Sequence, residues 1–395
     1  MKIVCAPDSF KGSIDAVAAA DAMAEGLSTA IDGVIIDTCP VGDGGEGTLR
    51  ALLSALDGTA FDCETIGMHG TPVGALIGHF AEEGFSYVES AEAVGLQTLP
   101  AEARDIMTAS SFGVGTMIKR ACETEADRVL VGLGGSATND GGCGMAQALG
   151  VRFFDASGKL IDSVIAGGDL HRIQGIDPSD RFAALDKIEM VALCDVKNPL
   201  TGPKGATAVF GPQKGATREN VRQLDEGLQH LATVIARDLG IDVLEVESGG
   251  AAGGLGAGMM AFAGVKIVSG IDHVLESANF SARIADADLC LTGEGRIDGQ
   301  SLAGKACLGV ARAAAKLGVP TVALVGVAGP DANRCLEVGL VDYVIIGDGL
   351  DQSESIARVA PLLASAAAAV AKKYANNAAT IGDCRLTGGG RNNSI

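Results

Sequence analysis

A chain of 395 residues, 47% hydrophobic and 20% charged, is too apolar for a disordered protein and has ample material for two domains of about 100–200 residues. Its 56 glycines follow no G-x-y period, which excludes collagen and points to many tight turns and close backbone approaches. A net charge of −19 repels nucleic acid and anionic membrane alike, so neither is an expected partner.

In chain order, Lys2-Ile3-Val4-Cys5-Ala6 is a short apolar run stopped by Pro7 and Asp8, and reads as a buried strand. Ser13 fits an N-cap for a helix that begins at Ile14, Val17 and Ala18 and runs to about Leu27. Val34-Ile35-Ile36 is a second strand and 48–56 a second helix, the alternation of parallel βαβ units. Between about 61 and 90, short apolar segments separated by Gly-containing turns predict antiparallel pairing. A helix over 109–120 leads to the strand Arg128-Val129-Leu130-Val131, and Val221, Leu224, Leu228, Leu231 and Ile235 predict a helix over 217–239. Strand–helix alternation returns from 287, with strands at 289–291, 321–325 and 343–346. The expected layout is α/β: a parallel-sheet domain built from both chain ends, 1–62 and 286–375, around an inserted mixed α/β domain, 63–285. Residues 376–395 have no periodicity and are expected to form a mobile tail.

Ten cysteines without a C-x-x-C, and five dispersed histidines, argue against a zinc site. The N-terminus reaches Asp8 without the apolar core of a signal peptide, and the longest uncharged run, 248–265, is too Gly-rich to span a bilayer. A cytoplasmic protein with reduced thiols is expected.

Five polar, Gly-containing loops follow predicted strands, at 7–13, 42–48, 132–142, 194–202 and 292–301. Each alone is ordinary turn and cap chemistry. Together, acidic groups beside Gly-rich backbone and single cations suit a metal-chelated polyphosphate. Carboxylates hold Mg²⁺, amides and helix N-termini cradle phosphate oxygens, and Lys or Arg offsets the charge in transfer. Two other readings compete. Gly132-Leu133-Gly134-Gly135-Ser136-Ala137 fits G-x-G-x-x-A, with Asp155 as the ribose acid of an NAD(P)-dependent oxidoreductase acting on a small hydroxy acid. Thr138, Asn139, Gly141 and Gly142 are poor formers of the helix that motif needs. A non-catalytic binder of small acids on the same sheet is the second rival. The stretch 299–306 matches a P-loop except at Ala306, which has no hydroxyl for Mg²⁺, and it stands well beyond the strand predicted at 289–291. Neither Ser9 nor Ser136 fits G-x-S-x-G, which argues against a serine hydrolase.

The chain closely resembles the type-1 glycerate kinases. The resemblance lies in Ala6-Pro7-Asp8-Ser9-Phe10-Lys11-Gly12-Ser13, Val41-Gly42-Asp43-Gly44-Gly45-Glu46-Gly47-Thr48 and the 132–142 stretch. It continues in Cys194-Asp195-Val196-Lys197-Asn198-Pro199-Leu200, Gly211-Pro212-Gln213-Lys214-Gly215-Ala216, the 249–256 stretch and Thr292-Gly293-Glu294-Gly295-Arg296-Ile297-Asp298. The resemblance implies a flavodoxin-like α/β domain combined with a mixed α/β domain. It also implies transfer of the γ-phosphoryl of Mg-ATP to a hydroxyl of D-glycerate, with 2-phosphoglycerate favoured over 3-phosphoglycerate.

Residue chemistry then gives expected roles. Lys11, Asp195, Lys197 and Arg296 are the catalytic candidates, with Asp195 orienting or deprotonating the hydroxyl. Asp8 and Ser9 join Lys11 and Arg296 in binding substrate. Gly132, Gly134, Gly135, Ser136, Asn139 and Asp140 are expected at the nucleotide. Asp43, Glu46, Glu294 and Asp298 compete for Mg²⁺. Monomer and homodimer both stay open.

Overall fold

The computed structural model describes residues 1–299 and 301–386, with backbone only at 303 and at 377–386. The chain forms two compact units. The first comprises 1–41, 279–302 and the chain from 306 onward; the second comprises 42–278 and 303–305.

Five strands of the first unit form one sheet in the order Ile35–Thr38, Lys2–Pro7, Leu289–Ile297, Thr321–Ala328, Leu340–Ile345. Every pairing is parallel. Counted in chain order the arrangement is 2-1-3-4-5, the flavodoxin-like order. Alternation along each strand feeds both faces. Val322 and Leu324 pack with Ile3, Cys5 and Leu291 under helices Ala16–Ala30 and Val359–Leu386. Ala323 and Val325 pack on the opposite face with Cys307, Leu308 and Ala311 of helix Ala306–Lys316. A side chain at Gly26 would collide with the Ala364 backbone, so this glycine sets the close approach of the first pair of helices.

The second unit holds a six-stranded mixed sheet in the order Lys266–Val268, Glu189–Leu193, Arg128–Gly132, Phe85–Glu89, Pro72–Phe80, Thr59–Ile66. The first four strands are mutually parallel, and the last two continue as an antiparallel meander, as the 61–90 pattern predicted. Helix Arg218–Leu239 starts at a capping box between Thr217 and Asn220 and buries Leu224, Leu228, Leu231 and Ile235.

Four sequence expectations need correction. The crossing into the second unit comes at Gly42 rather than 63, because helix Thr48–Ala55 packs on the meander and strand Thr59–Ile66 pairs with Pro72–Phe80. The return comes at Asn279 rather than 286. The last helix runs to Leu386, so the tail expected from 376 is helical to that point, and 387–395 lie outside the described residues. The first helix begins at Ala16, where the Asp15 carboxylate accepts from Ala18 N at 2.8 Å; Ser13 instead donates its hydroxyl to the Ile356 carbonyl. No described helix is long and apolar enough to cross a membrane.

Candidate active site

In a 2-1-3-4-5 sheet the crossovers leave the first and third strands toward opposite faces, opening a crevice at their C-terminal ends. Those strands are Lys2–Pro7 and Leu289–Ile297. Beyond Pro7, Asp8 N donates to Gly293 O at 2.9 Å and the buried Asp8 carboxylate accepts from Ser9 N at 2.6 Å. Phe10 N donates to Ile14 O and Ser13 N to Phe10 O, closing a turn that carries Lys11 and Gly12 exposed at its tip. Lys11 therefore sits on the short turn that leads into the first helix.

The expected loop at 292–301 is a strand as far as Ile297, held by pairing of Glu294 with Val325 and Arg296 with Val327. Of its two glycines, Gly293 is required by this packing and Gly295 leaves room to spare. A Cβ on Gly293 would overlap the Leu324 carbonyl and stand 3.2 Å from the Phe10 ring, and one on Gly295 would stand 3.7 Å from Lys11 N. Thr292, Glu294 and Arg296 then share one side of the strand, passing from buried to exposed. Arg296 is exposed, and its Nε donates to Asp298 Oδ2 at 2.8 Å. The first unit thus gathers Asp8, Ser9, Lys11, Glu294, Arg296 and Asp298 at its switch point. The Ser9 hydroxyl is buried and has no hydrogen-bond partner among the described residues.

In the second unit the candidates follow the parallel strands. The 132–142 loop begins at Gly132, where a Cβ would overlap the Tyr87 hydroxyl. Gly134 N donates to Gly44 O at 3.2 Å, which layers the 43–46 turn over the loop. Gly135, at φ +81°, turns the chain toward Ser136. The Asn139 amide exchanges hydrogen bonds with the Thr207 hydroxyl. Asp140, expected at the nucleotide, is fully buried and accepts from Ser111 N and Oγ, Gly142 N and Gly144 N. Burial pushes its carboxyl up while those donors pull it down, the net being upward. Its work is to bind the start of helix Cys143–Ala148 to Ser111. Asp140→Asn turns an NH₂ toward these donors and is expected to cost about 2 kcal/mol in urea unfolding; an unchanged midpoint contradicts that role.

Asp195 accepts from Ser269 Oγ (2.7 Å) and Gly270 N (3.1 Å) at Oδ1 and from Ile271 N (2.9 Å) at Oδ2, at the start of helix Gly270–Ser277. Desolvation raises its pKa to about 6 against these bonds, with Asp43 and Asp272 adding to the rise. Lys197, expected to supply charge beside it, is an exposed residue paired with Glu247 at 2.8 Å. Asp43 accepts from Gly45 N at 3.0 Å and its backbone abuts Gly270. Glu46 is half-buried on the same turn. No described group of three His, Cys, Asp or Glu is poised to hold a metal. Mg²⁺ chelated by phosphates needs only one or two carboxylates, a requirement that Asp43 or Glu294 meets by donor type.

Three further residues of the second unit stand out only once the chain is folded. Glu89 ends strand Phe85–Glu89, accepts from Gly47 N and Leu49 N, and has a pKa raised to about 7 by burial. Thr138 is fully buried, and its hydroxyl has no partner among the described residues. Lys214, on the turn Pro212–Lys214, is only 2% exposed. Its Nζ donates to Thr138 O at 2.8 Å and Ser136 Oγ at 3.4 Å. The one cue to it in the sequence is its place within a Gly-Pro-Gln-Lys-Gly turn that forms part of the resemblance.

The sequence model of the Glycerate kinase family matches residues 3–375. The chain belongs to the glycerate kinase family. It is 42% identical to the glycerate kinase of Bacillus subtilis (strain 168) over 340 residues, 86% of this chain and 88% of that protein. It is 42% identical to the glycerate 2-kinase of Escherichia coli (strain K12) over 326 residues, 82% of this chain and 85% of that one. A crystal structure of a candidate glycerate kinase 2 from Salmonella typhimurium LT2 superposes with TM-score 0.80 at 38% identity, covering 95% of this chain and 99% of that chain. As a glycerate kinase family member the chain is an ATP-dependent kinase.

The oxidoreductase reading has no support in this glycerate kinase fold. No helix opens within the 132–142 loop before Cys143, and Asp155 caps its own exposed turn by accepting from Ser157 N and Lys159 N. The P-loop-like stretch follows the strand more closely than expected, with only Asp298 between Ile297 and Gly299, yet Ala306 still offers no hydroxyl; Gln300 lies outside the described residues.

Proposed function

We propose that this glycerate kinase transfers the γ-phosphoryl of Mg-ATP to the 2-hydroxyl of D-glycerate. The hydroxyl oxygen forms the new P–O bond, the bond from the γ-phosphorus to the β,γ-bridging oxygen breaks, and ADP leaves. The observation that carries the reaction is the family match across residues 3–375. The name of the E. coli relative, glycerate 2-kinase, supports the 2-position.

For the residues, support comes from the switch point. Lys11 and Arg296 offset the charge of the carboxylate and the moving phosphoryl, Arg296 through a planar fork. Asp8 holds the turn, and the unpartnered Ser9 hydroxyl offers a hydrogen bond to substrate oxygen. Asp298 fixes Arg296. Gly132, Gly134, Gly135, Ser136 and Asn139 shape the nucleotide loop. Asp195, with a pKa near 6, suits a group that orients the hydroxyl and takes its proton near neutral pH. Mg²⁺ on Asp43 or Glu294, with Glu46 and Asp298 nearby in their respective units, would screen phosphate charge. The reading places the enzyme in the cytoplasm.

Phosphorus NMR of the product tests the position. A 2-phosphoglycerate resonance with the others absent is expected, and 3-phosphoglycerate as sole product contradicts it.

A further inference from the structure

Resting on that reading, we propose that Lys214, Ser136 and Thr138 form the seat of a substrate oxyanion in the second unit, a nucleotide phosphoryl or the carboxylate of the acid. Helix Ala206–Phe210 ends at Gly211, and the turn Pro212–Lys214 closes by Lys214 N donating to Gly211 O and Gly215 N to Pro212 O. Gly215, at φ +92°, sits against the Arg104 carbonyl and directs Lys214 inward. The ammonium reaches the 132–142 loop at the Thr138 carbonyl and the Ser136 hydroxyl. From the other side, Ala252, Gly253 and Gly254 follow one another in left-handed backbone, and a Cβ on Gly253 would overlap the same Thr138 carbonyl. Ala252 at φ +54° is strained.

Two features point to a ligand. Thr138 presents a fully buried hydroxyl that nothing described satisfies, a group that ordinarily has a partner. Lys214 is buried, and the opposing charge that acts on it, Asp140, is already committed to four donors. Burial without a dedicated counter-ion is unfavourable, and an incoming oxyanion supplies the missing charge. Desolvation draws the Lys214 pKa down to about 7, so filling the seat recharges the amine and takes up a proton.

Thr138→Val and Lys214→Met test the seat together. Thr138→Val removes the unpartnered hydroxyl at nearly constant volume. It is expected to leave the ligand-free protein as stable or more stable, yet to raise KM for either ATP or glycerate about tenfold. Lys214→Met is expected to raise that same KM by about 30-fold or more and to abolish the proton uptake seen at pH 8 when ligand binding is titrated calorimetrically in two buffers. The KM that moves identifies the oxyanion. If Lys214→Met fails to fold, Thr138→Val decides alone. Both KM values unchanged in Thr138→Val overturns the seat. If wild type does not turn over ATP with glycerate, the kinase reading fails separately, and the seat is then judged by the binding of ADP, inorganic phosphate and D-glycerate to wild type against Thr138→Val. Equal affinity in that comparison also overturns it.

Discussion

Arg296→Ala is expected to lower kcat by roughly 10³–10⁵, the loss seen when a charge-offsetting arginine is removed from phosphoryl transfer, while moving stability by less than about 1 kcal/mol. The two effects separate because of where Arg296 sits. Its side chain is 53% exposed at the free end of strand Leu289–Ile297, so its ion pair with the 14%-exposed Asp298 is open to water on the arginine side, and such half-open pairs contribute little. On the proposed mechanism the guanidinium acts mainly in the reaction. Arg296→Lys keeps the charge but loses the fork that binds two oxygens at once, so it is expected to stay at least about tenfold below wild type. Lys11→Ala belongs in the same series, since Gly295 runs alongside the Lys11 backbone. Steady-state kinetics with both substrates saturating reads these losses, and near-normal kcat in Arg296→Ala or Lys11→Ala removes that residue from the transfer step.

The second large effect is on stability against pH. Glu89 has a folded pKa near 7 against an ordinary 4.5. The folded state therefore holds a proton that the unfolded chain has lost, and stability falls as pH rises from about 4.5 to 7, by on the order of 3 kcal/mol. Asp195, raised from 3.8 to about 6, acts in the same direction over a lower window. Lys214 has the opposite sign. Its folded pKa is near 7 against an ordinary 10.5, so above pH 7 the unfolded chain binds the extra proton and stability climbs. By pH 9 the gain is about 2 kcal/mol. From about pH 8.5 the buried thiols, Cys5 and Cys194 among them, ionise more readily in the unfolded chain and reverse the trend. Urea unfolding of the ligand-free protein is expected to show a stability minimum near pH 7. Glu89→Gln flattens the limb below it and Lys214→Met the limb above it. A profile that peaks at neutral pH contradicts both assignments.

Much of the fold is legible in the sequence because it is periodic. The five-residue run from Lys2, the three-and-four spacing of Leu224 to Ile235 and the meander after 61 each follow from which side of an element must be buried. The strand through Arg296 is hidden because Thr-Gly-Glu-Gly-Arg reads as turn chemistry, whereas Gly293 is there to let Leu324 and Phe10 come close. The early crossing at Gly42 is hidden because the helix Thr48–Ala55 looks like one more βαβ crossover. Its allegiance is set by distant groups: Glu89 binds its first turn and Gly78 makes room for Leu49. Lys214 is the hardest to see, since a lysine between glutamine and glycine in a turn is usually a solvated surface residue. Only the burial of its side chain against Ser136 and Thr138 shows it inside.

ADP release from Mg-ATP, measured with and without D-glycerate, tests phosphoryl transfer to the acid. ADP formation that depends on glycerate, with little release in its absence, is the predicted result. Folded protein with excess Mg²⁺ and no glycerate-dependent ADP would contradict the account.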